Sequence, residues 1–416
     1  MFMNIKIFIY ILNLRKIDLN PRTKLFTVVR FSELPPEFWR EFRLWRSVGN
    51  ELNGLSPPGN FVGSMNYPHI NVGALINDGN IDASILDNPE EWFRHGFAQW
   101  DIVKLRSRIV LSRIKVSVRS FNNSIVDKIQ ELSIGRNPVD VEVRLRRLVL
   151  RALADDYHAP LGNVGELRDL RITSNVSAER IVERLVNDYD ADARAAVVEL
   201  YRGSIPVSRI QRIFAVGLLG DRRFRRLVPT RWSITAVDSI IGDYLRDKVI
   251  EYDEVGQVEV HEMEYMENRY FVMLMPGPWR YELIELKMPG SVWNRGGSSP
   301  RVFADYERTK GMKGYAESTG GAFYAIRLGV LEYLNKVSRQ ASAIAIREVT
   351  PEYRVPVGIW QAREAVRNGM GVNARRFSDV NEAINYVNAS LLTGSLWLNY
   401  SRLIREFRSD LVKFLI

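Results

Sequence analysis

A chain of 416 residues with 46% apolar and 26% charged side chains is long enough for two or three domains and too hydrophobic to be disordered. Its net charge of +9 favours polyanionic partners, nucleic acid before an anionic membrane surface, although a basic balance alone requires neither. The absence of cysteine excludes disulfides, a thiol nucleophile and cysteine-bound zinc. The four histidines, His69, His95, His158 and His261, never pair at the spacing of a helical metal site, so no cofactor is expected; carboxylate-bound magnesium stays open.

Residues 1–35 read as a weakly structured extension. The apolar run 7–12 is far shorter than the roughly 20 residues of a helical membrane span. Its stronger basic pair, Arg15 and Lys16, follows it, and no small-residue cleavage site comes after. A strand, or residues added by an upstream start codon, fits better than a signal peptide. No later run approaches transmembrane length, so a cytoplasmic protein without a membrane partner is expected.

Pro35-Pro36 opens a helix over 37–46, with Phe38, Phe42 and Trp45 at helical spacing. Residues 54–63 predict a loop, leading to a strand at 70–73. Asp87-Asn88-Pro89-Glu90-Glu91-Trp92 has the capping residue, proline and early carboxylates of a helix start, and the periodicity continues through Ile102, Leu105 and Ile109. A short strand follows at 115–118. From 124 to about 200 the pattern is mostly helical, broken near Gly135 and Gly162.

The texture changes over 249–285. Val255, Val258 and Val260, then 270–275, then 281–286 predict consecutive strands of an antiparallel meander, with Pro276-Gly277-Pro278 as the turn between the last two. After a Gly/Ser loop at 293–299, helices are predicted at 323–337, 358–367, 379–389 and 396–406, with a strand at 343–349. Helices and strands that do not alternate predict an α+β protein: a mostly helical N-terminal domain with an antiparallel strand meander, plus a smaller α/β C-terminal domain.

Several ordered blocks carry a family resemblance. They are Leu227-Val228-Pro229-Thr230-Arg231-Trp232-Ser233-Ile234-Thr235-Ala236-Val237-Asp238, Pro58-Gly59-Asn60-Phe61-Val62-Gly63 running on through Tyr67-Pro68 to Val72-Gly73, and Asp82-Ala83-Ser84-Ile85-Leu86-Asp87 running on to Trp92. Toward the end come Tyr315-Ala316-Glu317, Ala325-Ile326-Arg327-Leu328 and Val355-Pro356-Val357-Gly358-Ile359-Trp360-Gln361. The chain resembles the archaeal Nre family of DNA repair proteins from about residue 55 to the end. The resemblance implies three parts: an N-terminal extension (1–54), an Nre N-terminal domain (55–316) and an Nre C-terminal domain (317–416) with a clamp-peptide-like tail. It implies a role in the response to DNA damage and, for many members, binding to the PCNA sliding clamp through a C-terminal peptide. Many members also carry a cysteine-rich zinc motif near the N-terminus. Residues 1–53 contain no cysteine here, so zinc is not carried over.

Four constellations could carry chemistry. Leu411, Phe414 and Leu415 have the spacing of a clamp-binding plug, with Arg408 where a glutamine usually stands; the same residues also suit a terminal amphipathic helix packed on the protein's own core. Arg222, Arg223, Arg225 and Arg226, followed by Arg231 and Trp232, could hold a DNA backbone and stack a base, or form a carboxylate-paired surface loop and a buried join. Arg144, Arg147 and Arg151 read as the basic edge of an amphipathic helix beside Val141, Leu145 and Leu148. Glu285-Leu286-Lys287, with Asp253 upstream, carries a weak hint of a magnesium-dependent nuclease. No phosphate-binding loop is present, since Gly311-Met312-Lys313-Gly314 lacks the required spacing. Beside a clamp-recruited DNA repair factor, a metal-dependent nuclease and a noncatalytic clamp adaptor therefore stand as rival readings, and catalysis itself is left open.

Overall fold

A computed structural model of the chain describes residues 36, 37, 40 and 50–414, apart from 78, 80, 150–153, 155 and 313, and describes side chains only up to Ser409. The predicted N-terminal extension and most of the helix at 37–46 lie outside the described residues. The fold is α+β, with two six-stranded mixed sheets in two compact units. One unit holds residues 50–241 and Val355–Trp360; the other holds Gly242–Arg354 and residues 361–414.

In the first unit the sheet order is β1-β5-β6-β4-β3-β2. These strands are β1 (Glu51–Ser56), β2 (Asn60–Val62), β3 (His69–Ile76), β4 (Val110–Ser117), β5 (Val139–Val149) and β6 (Val164–Ile172). The helices are α1 (Pro89–Arg94), α2 (Gln99–Ser107), α3 (Ser124–Ile134), α4 (Arg180–Asn187), α5 (Ala193–Arg202), α6 (Val207–Ala215) and the start of α7 (Thr230–Val249). The predicted start of α1 is present: the Asn88 side chain accepts from the Glu91 amide at 3.4 Å, with Pro89 in the first turn.

Two expectations change here. The predicted loop at 54–63 holds the end of β1 and all of β2, and Leu55 exchanges reciprocal backbone bonds with Asn77, just past β3. The stretch at 139–172, expected to be helical, forms β5 and β6. Val139, Val141, Val143 and Leu145 point inward at a period of two, and Asp140, Glu142 and Arg144 point outward between them. Arg144 and Arg147 therefore do not share a helical face, and Arg151 lies outside the described residues. Arg144 meets Glu51 at 3.3 Å and Arg171 meets Glu142 at 3.6 Å across strands. The inward residues pack on Val126, Ile129 and Leu132 of α3.

The second unit contains β7 (Val258–Tyr265), β8 (Asn268–Met275), β9 (Arg280–Lys287), β10 (Arg301–Glu307), α8 (Gly321–Val337), β11 (Ser342–Val349), α9 (Trp360–Gly369), β12 (Ala374–Phe377), α10 (Val380–Ser390) and α11 (Arg402–Phe414). Its strand order is β10-β9-β11-β8-β7-β12. The three predicted meander strands all form, but Pro276-Gly277-Pro278 does not close a paired hairpin. β11 lies between β8 and β9, antiparallel to the first and parallel to the second. All of its residues are buried, as a central strand covered on both faces requires.

This second sheet separates its chemistry by face. Ile284, Leu286, Ile344, Ile346, Phe271 and Met273 pack on Ala383, Ile384 and Val387 of α10 and on Leu403 and Ile404 of α11. The predicted helix at 396–406 is broken into a 3-10 turn, Gly394–Asn399, and α11. Glu282 is the physical reason: its carboxylate accepts from the Arg402 amide (2.6 Å), the Leu403 amide (3.2 Å) and Ser401 Oγ (2.7 Å), so a helix starts afresh there.

In the first unit, Asp87 receives two arginines. Arg106 Nη1 is 2.8 Å from Oδ1, and Arg212 Nε is 3.1 Å from Oδ2. Replacing Asp87 by Ala leaves both guanidinium groups without their carboxylate, and an expected loss of about 3 kcal/mol or more is to be read from urea unfolding; a loss below about 1 kcal/mol would show that the backbone carbonyls alone hold these arginines.

Candidate functional site

The polar face of the second sheet gathers the ionisable groups best placed for chemistry. Strand alternation puts Tyr281, Glu285 and Lys287 of β9 on this face, beside Phe303, Asp305 and Glu307 of β10 and Arg347 of β11. Arg347 Nη1 donates to Glu285 Oε1 at 2.7 Å, while its Nε and Nη2 donate to Asn268 Oδ1 at 3.0 and 2.9 Å. Lys287 Nζ stands 3.9 Å from Glu285 Oε2 and lies over the rings of Trp293 (5.0 Å) and Phe303 (4.6 Å). Asp305 accepts from the Ser318 and Thr319 amides and from Thr319 Oγ1. Farther along, Glu307 accepts from Trp279 Nε1 and from Arg327 Nε, and Arg327 also reaches Asp243 at 3.1 Å.

Burial shapes the electrostatics. It pushes the Tyr270 phenol up to about 12, against the nearby Arg347 charge and a hydrogen bond to Gln361. Burial also raises Tyr281 and Asp305, and the Glu285 carboxylate adds to both rises. For Arg347 burial pulls downward, but Tyr270 and Glu285 outweigh it and the group is held firmly charged.

Of the nuclease-like trio, the structure brings Glu285 and Lys287 together and leaves Asp253 apart. Asp253 is exposed, and its carbonyl accepts from the amide of Gln340, just before the end of β11 that pairs with Arg280. Glu285 and Lys287 lie at the opposite end of β9. The carboxylate beside them is Asp305, which sequence reasoning missed. Its alternation with Phe303 and Glu307 was visible, but the pairing of β10 with β9 was not.

The arginine loop divides. Arg225 is committed to main-chain carbonyls: Gly220 at 2.7 Å, and Val186 and Asp188 at 2.8 Å each. Arg223 pairs with Asp221, and Arg222 lies 5.3 Å over the Tyr189 ring. Phe224, between exposed Arg223 and half-buried Arg225, is 52% exposed, and Tyr189 is 46% exposed. The loop thus offers an exposed Phe224 ring and a half-exposed Tyr189 ring faced by Arg222 and Arg225, with Asp188, Asp190 and Asp221 close by. Arg231 lies 4.5 Å over the Tyr157 ring, and Trp232 is 5% exposed and packs on Tyr67. Around them Gln211 Nε2 donates to Asp238 Oδ1 at 2.8 Å and Ser233 Oγ donates to the Gln211 carbonyl at 2.9 Å, which ties α6 to the first turns of α7.

Arg408 is exposed on α11, whose helical backbone continues through Leu411 to Phe414. The side chains of Leu411 and Phe414, and all of Leu415, lie outside the described residues. Among the described residues no group of three or more His, Cys, Asp and Glu side chains is placed to hold a metal ion, and no helix is long and apolar enough to cross a membrane.

A two-unit α+β protein with a charged, largely buried sheet face is what fold and site define. The chain belongs to the archaeal Nre family: residues 38–294 match the family description "Archaeal Nre, N-terminal", and residues 307–414 match "Archaeal Nre, C-terminal". It is 38% identical over 355 residues to the DNA repair protein NreA of Haloferax volcanii, a span covering 82% of this chain and 84% of that protein. It is 32% identical to the DNA repair protein NreB of Archaeoglobus fulgidus, over 87% of this chain and 91% of that one, and 32% identical to the NreA of the same organism, over 81% and 84%. No solved structure matches the chain.

The β7 end of the same sheet face supplies a pH prediction. Glu259 Oε2 stands 3.4 Å from His261 Nε2 and accepts from Tyr333 Oη at 3.0 Å, while Oε1 takes Arg376 Nε at 3.3 Å. The His261 contact first, then Tyr333 and Arg376, hold the Glu259 carboxyl at about 2 against an opposing effect of burial. A depressed carboxyl stabilises the fold above its ordinary value of 4.5, and that stabilisation is lost as pH falls toward about 2. Urea midpoints across the acid range are expected to fall less steeply in Glu259→Gln than in the unaltered chain, from a lower plateau near neutrality; identical slopes would remove Glu259 as an acid-sensitive contributor.

Proposed function

We propose that this chain acts in the repair of damaged DNA. The observation that carries the reading is the 38% identity, over 82% of the chain, with a protein named for DNA repair. In this reading residues 55–316 and 317–416 are the two family domains, and the protein works in the cytoplasm. The tail at Arg408, Leu411, Phe414 and Leu415 recruits it to the PCNA sliding clamp. The spacing of the three apolar residues supports the clamp reading. The DNA contact falls to the loop around Arg222 and Arg223, with Phe224 and Tyr189 as stacking surfaces. Arg225 supports that loop from beneath through its three carbonyl bonds.

Deleting the gene in its own host is expected to lower survival after a DNA cross-linking agent, with recovery on reintroduction; equal survival would remove the repair reading. Calorimetric titration of the host clamp is expected to give saturable binding that weakens at least tenfold in a Leu411→Ala, Phe414→Ala double variant. A flat titration with the intact chain would remove the clamp while leaving the repair reading to the survival test. For DNA, Arg222→Ala with Arg223→Ala is expected to lower single-strand affinity and to reduce the salt slope by about 0.7 for each lost phosphate contact. An unchanged slope would mark these arginines as surface charge.

A further inference from the structure

The loop joining β9 to β10 is built around one buried side chain. Asn294 Nδ2 donates to the Lys287 carbonyl at 2.9 Å and to the Ser299 carbonyl at 2.8 Å. The Asn294 carbonyl accepts from the Gly290 amide at 3.0 Å and from the Gly297 amide at 3.3 Å. Trp293, buried just before it, packs on Tyr353 with ring centroids 5.2 Å apart. The turn 294–299 is thereby closed at its base, and a side chain at Gly297 would run into the Asn294 carboxamide. Arg295 and Arg301, both exposed, flank the exposed tip at Gly296, Ser298 and Ser299.

The charge of this turn is not answered from within. Residues 286–304 contain Lys287, Arg295 and Arg301 and no aspartate or glutamate. Among the described residues neither Arg295 nor Arg301 meets a carboxylate; Arg295 Nη2 reaches the Arg354 carbonyl at 3.5 Å. Lys287, opposite Arg301 on the paired strand, is matched by Glu285 at 3.9 Å, so the surplus rests on the two arginines. The adjoining segment 350–354 brings exposed Arg354 and one acid, Glu352, which interacts with it. The amides of Gly296, Ser298 and Ser299 donate to no group of the described residues. The Arg222 loop differs, because Asp188, Asp190 and Asp221 stand around it. Guanidinium forks on either side of free N–H and hydroxyl donors are the groups that hold phosphate oxygens.

We propose that the turn at 295–301 is a contact for the phosphodiester backbone of a DNA strand, made by Arg295, Arg301 and the free donors between them. This contact rests on the DNA repair reading and gives that reading a second point of attachment, in the second unit. It engages backbone and not bases, because no aromatic ring of the loop is exposed and Trp293 is turned inward beneath Lys287. The pinned base holds both arginines in place before the strand arrives, which lowers the cost of ordering them. Gly296, with nothing within 4 Å of where a side chain would begin, leaves the main chain open to close approach.

The experiment is fluorescence anisotropy of a labelled single-stranded DNA titrated with the full chain over a range of salt concentrations. Arg295→Ala with Arg301→Ala is expected to weaken binding by about fivefold or more and to lower the salt slope by about 0.7 for each lost phosphate contact, equally for thymine-only and mixed sequences. Gly296 offers a variant that disturbs no packing. Gly296→Glu, which sets a carboxylate between the arginines, is expected to weaken binding by about fivefold or more through like-charge repulsion, and Gly296→Gln to leave it unchanged. Circular dichroism checks that each variant is folded. Unchanged affinity and slope in the double-arginine variant, or equal affinities of Gly296→Glu and Gly296→Gln, overturns the contact. Where Arg222→Ala with Arg223→Ala still lowers affinity, only the 295–301 contact falls and the DNA reading stands. Absence of DNA binding by the intact chain overturns both contacts, and survival after cross-linking then judges the repair role by itself.

Discussion

The pairing of Arg347 with Glu285 constrains the second unit more than any other contact. A guanidinium taken out of water costs several kcal/mol unless a carboxylate and further acceptors meet its donors. Arg347 meets Glu285 on β9 with one nitrogen and Asn268 on β8 with the other two. One side chain of β11 therefore pins the strands on both sides, in the register that sets Arg347 against Glu285. A slip of one residue would turn the arginine into the apolar layer formed by Ile344, Ile346 and the helices beneath.

The same requirement explains why carboxylates appear where an apolar pattern would place none. Glu282 and Glu348 alternate with the polar face and so fall on the apolar side, yet both are buried. Each is satisfied by backbone amides: Glu282 at the start of α11, and Glu348 at Leu392 and Thr393. These acids hold the C-terminal elements against the sheet more specifically than apolar contact does, because an amide–carboxylate bond has a direction. In the first unit Asp87 acts likewise, gathering Arg106 from α2 and Arg212 from α6, while Glu90 takes the amide and hydroxyl of Ser208. Two blocks that carry the family resemblance, 58–63 and 82–92, meet at this point, since Arg212 also donates to the Pro58 carbonyl.

The polar face and the arginine loop differ in what they can do. The first is largely buried, and its carboxylates are held by Arg347, Lys287, Arg327 and the amides of Ser318 and Thr319, which suits a fixed, structural network. The second is open to water, with aromatic rings and arginines at its tip and acids around it, which suits a weak, salt-dependent contact with a flexible strand.

The sequence by itself determined the composition class, the α+β character, the family and most helix starts, because these rest on local signals: Asn88-Pro89 before α1, Asp379 before α10, the apolar-rich stretches 270–275 and 281–286. It also determined that Glu285 and Lys287 share a face, since two residues apart on a strand means the same side. Only the tertiary structure decided that 139–149 is a strand, because Val141 and Leu145, four residues apart, fit both periods and the pairing with β1 and β6 chose between them. Only it decided that β11 separates β8 from β9, and that Asp305 rather than Asp253 stands beside Glu285. Strand order is set by which buried donors and acceptors must meet across the sheet, and that demand is long-range, so no window of sequence contains it.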